Sequence, residues 1–276
     1  MRKTTVTLAA CTAVLLCALL APSTPVAAQD NRSAARDLVK KWQEAVVNVR
    51  VVLKTRMSMG GREMQASDDP VDTVGTVIDP SGLTVLSLGS LNPGGMMSKL
   101  MGSMGGGGNG QPSVEITTEP TEVKIRLANG RELPAKIVLR DEDLDLAFLR
   151  PTTKPETPLV SLDLTDAAKP ALLDQVLVIS RLGRVGGWTA GAAIYDVGAI
   201  IEKPRTFYVL ADGGSVMGTP AFLTSGKVVG LLTLRQIEPG RASMASMLGG
   251  SESMGMLGVI LPAADVLEIA RQAPEK

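Results

Sequence analysis

The reading of the fold starts from residues 73–89, TVGTVIDPSGLTVLSLG. Thr73–Ile78 and Leu83–Leu88 are two short runs rich in Val, Leu and Ile, separated by Asp79-Pro80-Ser81-Gly82. Pro sets its own φ and Gly tolerates a positive one, so these four residues read as a tight turn between two strands. The pattern repeats on both sides. Ala45–Leu53, Glu122–Leu127, Leu133–Leu139 and Asp145–Leu149 read as further strands, with Asn129-Gly130 as a hairpin turn. Pro151–Pro170, rich in Pro and Thr, reads as a connector. Beyond it lie Gln175–Ser180, Ala190–Ile201, Thr206–Leu210, Pro220–Leu223, Lys227–Leu234 and Leu257–Leu261, with a bend expected at Gly198. Helices are expected only at the ends. Ser33–Glu44 has Leu38 and Trp42 on one face, and Ala263–Arg271 takes Ala264, Leu267 and Ile269 as its apolar positions. Six strands on each side of the connector predict an all-β protein of two six-stranded antiparallel barrels.

The N-terminus has the anatomy of a secretory signal. Met1-Arg2-Lys3 is positive, Val6–Ala21 is an apolar run of sixteen residues, and Val26-Ala27-Ala28 places small residues before Gln29. The domain plan is therefore a signal peptide over 1–28, a helix and first barrel over 29–150, a connector over 151–170, and a second barrel and helix over 171–276. A membrane anchor is the alternative, but the run is short for a bilayer crossing. Leu8-Ala9-Ala10-Cys11 spells a lipobox-like string with little apolar sequence before it. The expectation is an exported chain, periplasmic or extracellular, with no stable membrane span after cleavage.

Charge and composition exclude more than they assign. Basic and acidic residues balance at 28 each, and loss of Arg2 and Lys3 with the leader leaves 26 against 28. Nothing in that balance suggests a nucleic-acid partner. The chain has no histidine, and both cysteines, Cys11 and Cys17, lie in the leader. The mature chain thus has neither imidazole nor thiol, so Ser-His and Cys-His couples, disulfides and His-ligated zinc are all excluded. No metal site and no cofactor are expected.

With these strands placed, the chain resembles the trypsin-like protease domain of the Deg/HtrA family. Ala45–Arg50 is similar to its first strand, Gly75–Gly82 to the strand and turn leading to the catalytic histidine, and Asp145-Leu146-Ala147-Phe148-Leu149 to its aspartate motif. Val123–Arg131 resembles the preceding hairpin, and Leu257–Pro262 the strand before the last helix. The resemblance runs to this last helix, and none of the PDZ modules common in the family is expected. The resemblance implies that the histidine position falls on Gly89, the aspartate on Asp145 and the nucleophile on Met217, within Ser215-Val216-Met217-Gly218-Thr219-Pro220. A thioether neither donates a proton nor forms an acyl-enzyme, so two members of the triad are replaced. A shifted nucleophile, Ser215 or Thr219, would need a base, and the nearest lysine, Lys227, reads as part of an exposed turn. Asp145 is expected to survive as a structural carboxylate, and Ser215, Val216 and Met217 as a remnant of the oxyanion hole that binds without chemistry.

Methionine is the other signal. Eleven of the thirteen lie in three segments read as loops: Arg56–Gln65, the Gly-rich stretch 93–112, and Pro239–Met256. Met57, Met59, Met244, Met247, Met254 and Met256 are the candidate binding residues, because flexible thioethers repack around varied apolar peptides. The expected function is a non-catalytic module that binds a peptide or protein partner. The alternatives are a serine-type endopeptidase with a non-standard site and an exported protein binding Cu(I) through methionine sulfur.

Overall fold

A computed structural model describes residues 26–59, 62–91, 114–211, 216–236 and 256–275. The strands form two closed antiparallel barrels of six. The first comprises β1 (Val46–Met59), β2 (Arg62–Val77), β3 (Thr84–Ser87), β4 (Val114–Arg126), β5 (Glu132–Asp141) and β6 (Leu146–Pro151), closing in the order β1-β2-β3-β6-β5-β4. The second comprises β7 (Gln175–Arg181), β8 (Ala190–Ile201), β9 (Phe207–Leu210), β10 (Pro220–Leu223), β11 (Val228–Gln236) and β12 (Met256–Pro262), in the order β10-β11-β12-β9-β8-β7. Helices α1 (Val26–Trp42) and α2 (Ala263–Ala270) flank them. No helix among the described residues is long and apolar enough to cross a membrane.

The expected turns are present and do the expected work. Gly82 at φ 96° closes the turn after β2, its N–H donating to the Asp79 carbonyl at 2.9 Å. Gly130 at φ 82° does the same between β4 and β5, where the Asn129 carboxamide accepts from the Arg131 N–H at 3.0 Å. A side chain at either glycine would force a left-handed conformation that Cβ disfavours. At Gly198 the β8–β9 register slips by one residue, and this is the bend expected within that long run.

Two expectations are corrected. Arg56–Gln65 is not a loop: β1 runs to Met59 and β2 resumes at Arg62, so Met57 and Met59 are strand residues. Pairing overrides composition here, because β1 is held on one side by β2 and on the other by β4, which starts at Val114 rather than Glu122. Together they extend a three-stranded arm from the first barrel. In α2 the buried positions are Ala263, Val266 and Ala270; Leu267 and Ile269 pack partly buried against the same core, and of the expected set only Ala264 faces solvent. The helix packs on β11 and β12, with its most buried positions at i, i+3 and i+7. α1 also begins earlier than expected, at Val26.

Each barrel has its own apolar centre, and a third cluster lies between them. Val49, Val51, Ile125 and Leu149 fill the first, and Val176, Val197, Leu232 and Ile260 the second. The shared cluster joins Val85, Leu146 and Phe148 to Leu177, Phe222 and Leu231, and takes Leu162 and Leu164 from the chain between the barrels. Trp42 closes it by stacking on Phe222 at 6.4 Å. Arg181, almost fully buried, donates to the carbonyls of Val46 (2.5 Å), Gln43 (2.5 Å) and Trp188 (3.0 Å). It thereby ties β7 to the start of β1, and its burial lowers the guanidinium pKa from the ordinary value.

Candidate functional site

The site is assembled at the seam between the barrels by three short segments. β3 ends at Ser87 and runs into a 3₁₀ turn, Leu88–Leu91, which carries Gly89. β6 begins at Leu146, and the residue before it, Asp145, adopts φ 57°. Few side chains other than Asp and Asn tolerate that left-handed conformation readily. β11 supplies the third segment, because its backbone faces both Asp145 and the 216–219 turn.

Asp145 is held from every side. Its carbonyl accepts from the Leu88 N–H at 2.9 Å. One carboxylate oxygen, Oδ1, accepts from the Gly89 N–H at 2.6 Å. The other, Oδ2, accepts from the Ser87 hydroxyl at 2.5 Å and the Leu234 N–H at 2.9 Å. Burial pushes the carboxyl pKa above its ordinary value, and these three donors act in the opposite direction. Gly89 and Asp145 are therefore in direct contact, through the glycine backbone.

The 216–219 turn is bound to the same strand two residues earlier. The Gly218 N–H donates to the Leu232 carbonyl at 2.7 Å, and the Leu232 N–H donates to the Thr219 carbonyl at 2.9 Å. From the other barrel, the buried Thr76 hydroxyl donates to the Gly218 carbonyl at 2.8 Å. Gly218 sits at φ 79°, and a Cβ added there would lie 2.4 Å from the Val74 carbonyl oxygen and 3.3 Å from the Leu86 Cα. Leu232 and Leu234 are about 7 Å apart along an extended strand. That separation brings the Gly218 turn and the Asp145 carboxylate to neighbouring points of one seam.

Met217 is half-buried and packs against the second barrel's core beside Tyr195 and Leu223. Thr219 is completely buried, and its hydroxyl donates to the Val216 carbonyl at 2.6 Å, so it is not available to attack a substrate. The Gly218 amide is likewise committed to backbone pairing. Lys227 lies at the turn between β10 and β11, is half exposed, and pairs with Asp166 at 3.0 Å. Nothing around it supplies the burial that a lysine base requires.

The methionines divide. Met57 and Met64 are exposed on the arm and belong to none of the three core clusters. Met59 and Met256 are terminal residues of β1 and β12. Met244, Met247 and Met254, Ser215, and the 93–112 segment lie outside the described residues. Among the described residues, no three His, Cys, Asp or Glu side chains converge as a cation site.

Ser87 is the residue that sequence reasoning passed over. It stands in the run TVLS, two positions before Gly89, and is fully buried. A buried hydroxyl at the end of a short strand needs a partner, and that requirement was the available signal. Thr76 had the same signal within TVGTV.

Comparison with known proteins agrees with this architecture. Residues 102–231, a little under half of the chain, match the family model described as a trypsin-like peptidase domain. The matched span contains Asp145 and the 216–219 turn and omits β1 to β3. Among solved structures, the HtrA-type protease AlgW bound to a tripeptide is similar at 14% identity and a TM-score of 0.52. The similarity covers 86% of this chain but only 62% of that one, so the chain spans less than two thirds of its length. No curated protein sequence matches the chain.

Proposed function

For a chain that carries a trypsin-like peptidase domain with the fold of the HtrA-type proteases, we propose a non-catalytic role: an exported module that binds a peptide or protein partner at the former cleft. The observation that carries this reading is the occupancy of Asp145. In a working triad the aspartate accepts a hydrogen bond from the imidazole and stabilises the imidazolium formed during attack. Here the carboxylate's donors are the Ser87 hydroxyl and the backbone of Gly89 and Leu234. The sequence contains no histidine, and Met217 stands where the resemblance places the nucleophile. The aspartate is a keystone of the seam, and the surrounding turn is a surface for binding.

Export rests on the leader-like residues 1–28, and peptide binding on the retained cleft scaffold. Incubation of the purified chain with unstructured casein and with a fluorophosphonate probe tests the proposal. The expected result is neither cleavage nor labelling. Turnover that vanishes on Ser215→Ala or Thr219→Ala would establish a non-standard peptidase instead.

A further inference from the structure

The second barrel carries a groove on its outer face, alongside α1. β7 and β8 pair with Leu177 opposite Ile194 and Ile179 opposite Ala192. Val176 and Val178 point into the barrel, whereas Leu177 and Ile179 belong to the cluster beneath α1. The two-residue period of a strand puts Ala192 and Ile194 on that same outer face. Leu177 and Ile179 are buried, whereas Ile194 is 37% exposed.

Between helix and strands lies an open depression of about 570 Å³, lined by Val39, Leu177, Ala192, Ala193 and Ile194. Ala192 leaves the space open where a larger side chain would close it. Arg32, Arg36 and Lys40 form its rim, and no carboxylate lines it. Their spacing of four sets them in one row along the helix. Lys40 pairs with Asp37 at 3.2 Å, and neither arginine has an ion pair among the described residues.

We propose that this groove docks an acidic peptide segment with an apolar anchor. The anchor enters between α1 and β8, and the carboxylates align along the cationic row. Charge selects the partner: two arginines without an ion pair among the described residues favour an anionic one, while the aliphatic floor favours an apolar side chain. A bilayer fits less well. The apolar face of α1, with Ala35, Leu38, Val39 and Trp42, is turned into the protein rather than outward.

Fluorescence anisotropy with the purified chain, at low salt, tests this with a labelled decapeptide of alternating Glu and Leu and its Lys–Leu counterpart. The expected result is binding of the acidic peptide alone. Arg32→Ala with Arg36→Ala should weaken it about tenfold. Ala192→Trp should abolish it by filling the groove with the cations intact. All three positions are exposed or surface-facing, and an unchanged circular dichroism spectrum would establish that the variants fold. Absence of binding, equal binding of both peptides, or affinity unchanged in both variants would overturn the proposal. So would sedimentation with phosphatidylglycerol vesicles, dependent on the two arginines, in the absence of peptide binding.

Discussion

Asp145 concentrates the chemistry of the seam in one side chain. Three donors reach its two oxygens, so Asp145→Asn must turn its NH₂ group toward the Gly89 N–H or the Leu234 N–H. A donor facing a donor, with one bond lost, is expected to cost about 2 kcal/mol, read as a lower urea midpoint. The titration has a definite sign. Burial holds the Asp145 carboxyl above its ordinary value, so the native state binds this proton more tightly than the unfolded chain. Its contribution to stability is therefore full below the unfolded value, about 3.9, and is lost as pH rises through the native value. Asp163 runs the other way, because the Thr165 hydroxyl and N–H favour its charged form. Carbon NMR of the carboxyls should place Asp145 above the ordinary aspartate and Asp163 below it.

The long β1–β2 hairpin is the element that most exceeds its expected length. Beyond Leu53, β1 is the central strand of three, and Thr55 pairs with Ser67 on one side and Thr118 on the other. β4 accommodates this arm with a register slip at Val52 and Leu53, and its Pro120 lies on the edge, where no further strand needs an N–H. Thr55→Pro removes a donor in the central strand and should destabilise the arm by about 3 kcal/mol. Hydrogen exchange is expected to show lost protection over 53–58, with the barrel segment 46–51 still protected. The hairpin turns at 79–82 and 129–130 were legible in the sequence, because each depends on a few adjacent residues. The arm was not. Met, Ser, Arg and Gly have no strong strand preference, and only pairing with β4, some sixty residues away in sequence, makes a strand of them.

Taken as a whole, the molecule is two barrels locked across one seam. Thr76 reaches Gly218, Asp145 reaches Leu234, and Arg181 reaches Gln43 and Val46, each bond crossing between barrels or to the segment before β1. Gly218→Ala would drive a Cβ onto the Val74 carbonyl while imposing a left-handed conformation on alanine. Because this contact belongs to both barrels, the expected effect is a loss of at least 2 kcal/mol or so, with unfolding still a single transition. Two separate transitions in a urea titration would show instead that the barrels are independent.

The sequence by itself determined the strand count, the turns, the division into six and six, and the absence of imidazole chemistry. These follow from period-two apolar patterning, from glycine at positive φ, and from composition, all of which are local. Only the tertiary structure decided what Asp145 does. Its partners Gly89, Ser87 and Leu234 lie 56, 58 and 89 residues away, and no local pattern records which backbone amides will meet a carboxylate. The same holds for the groove beneath α1, which exists because Ala192 of β8 comes to lie beside a helix more than 150 residues earlier.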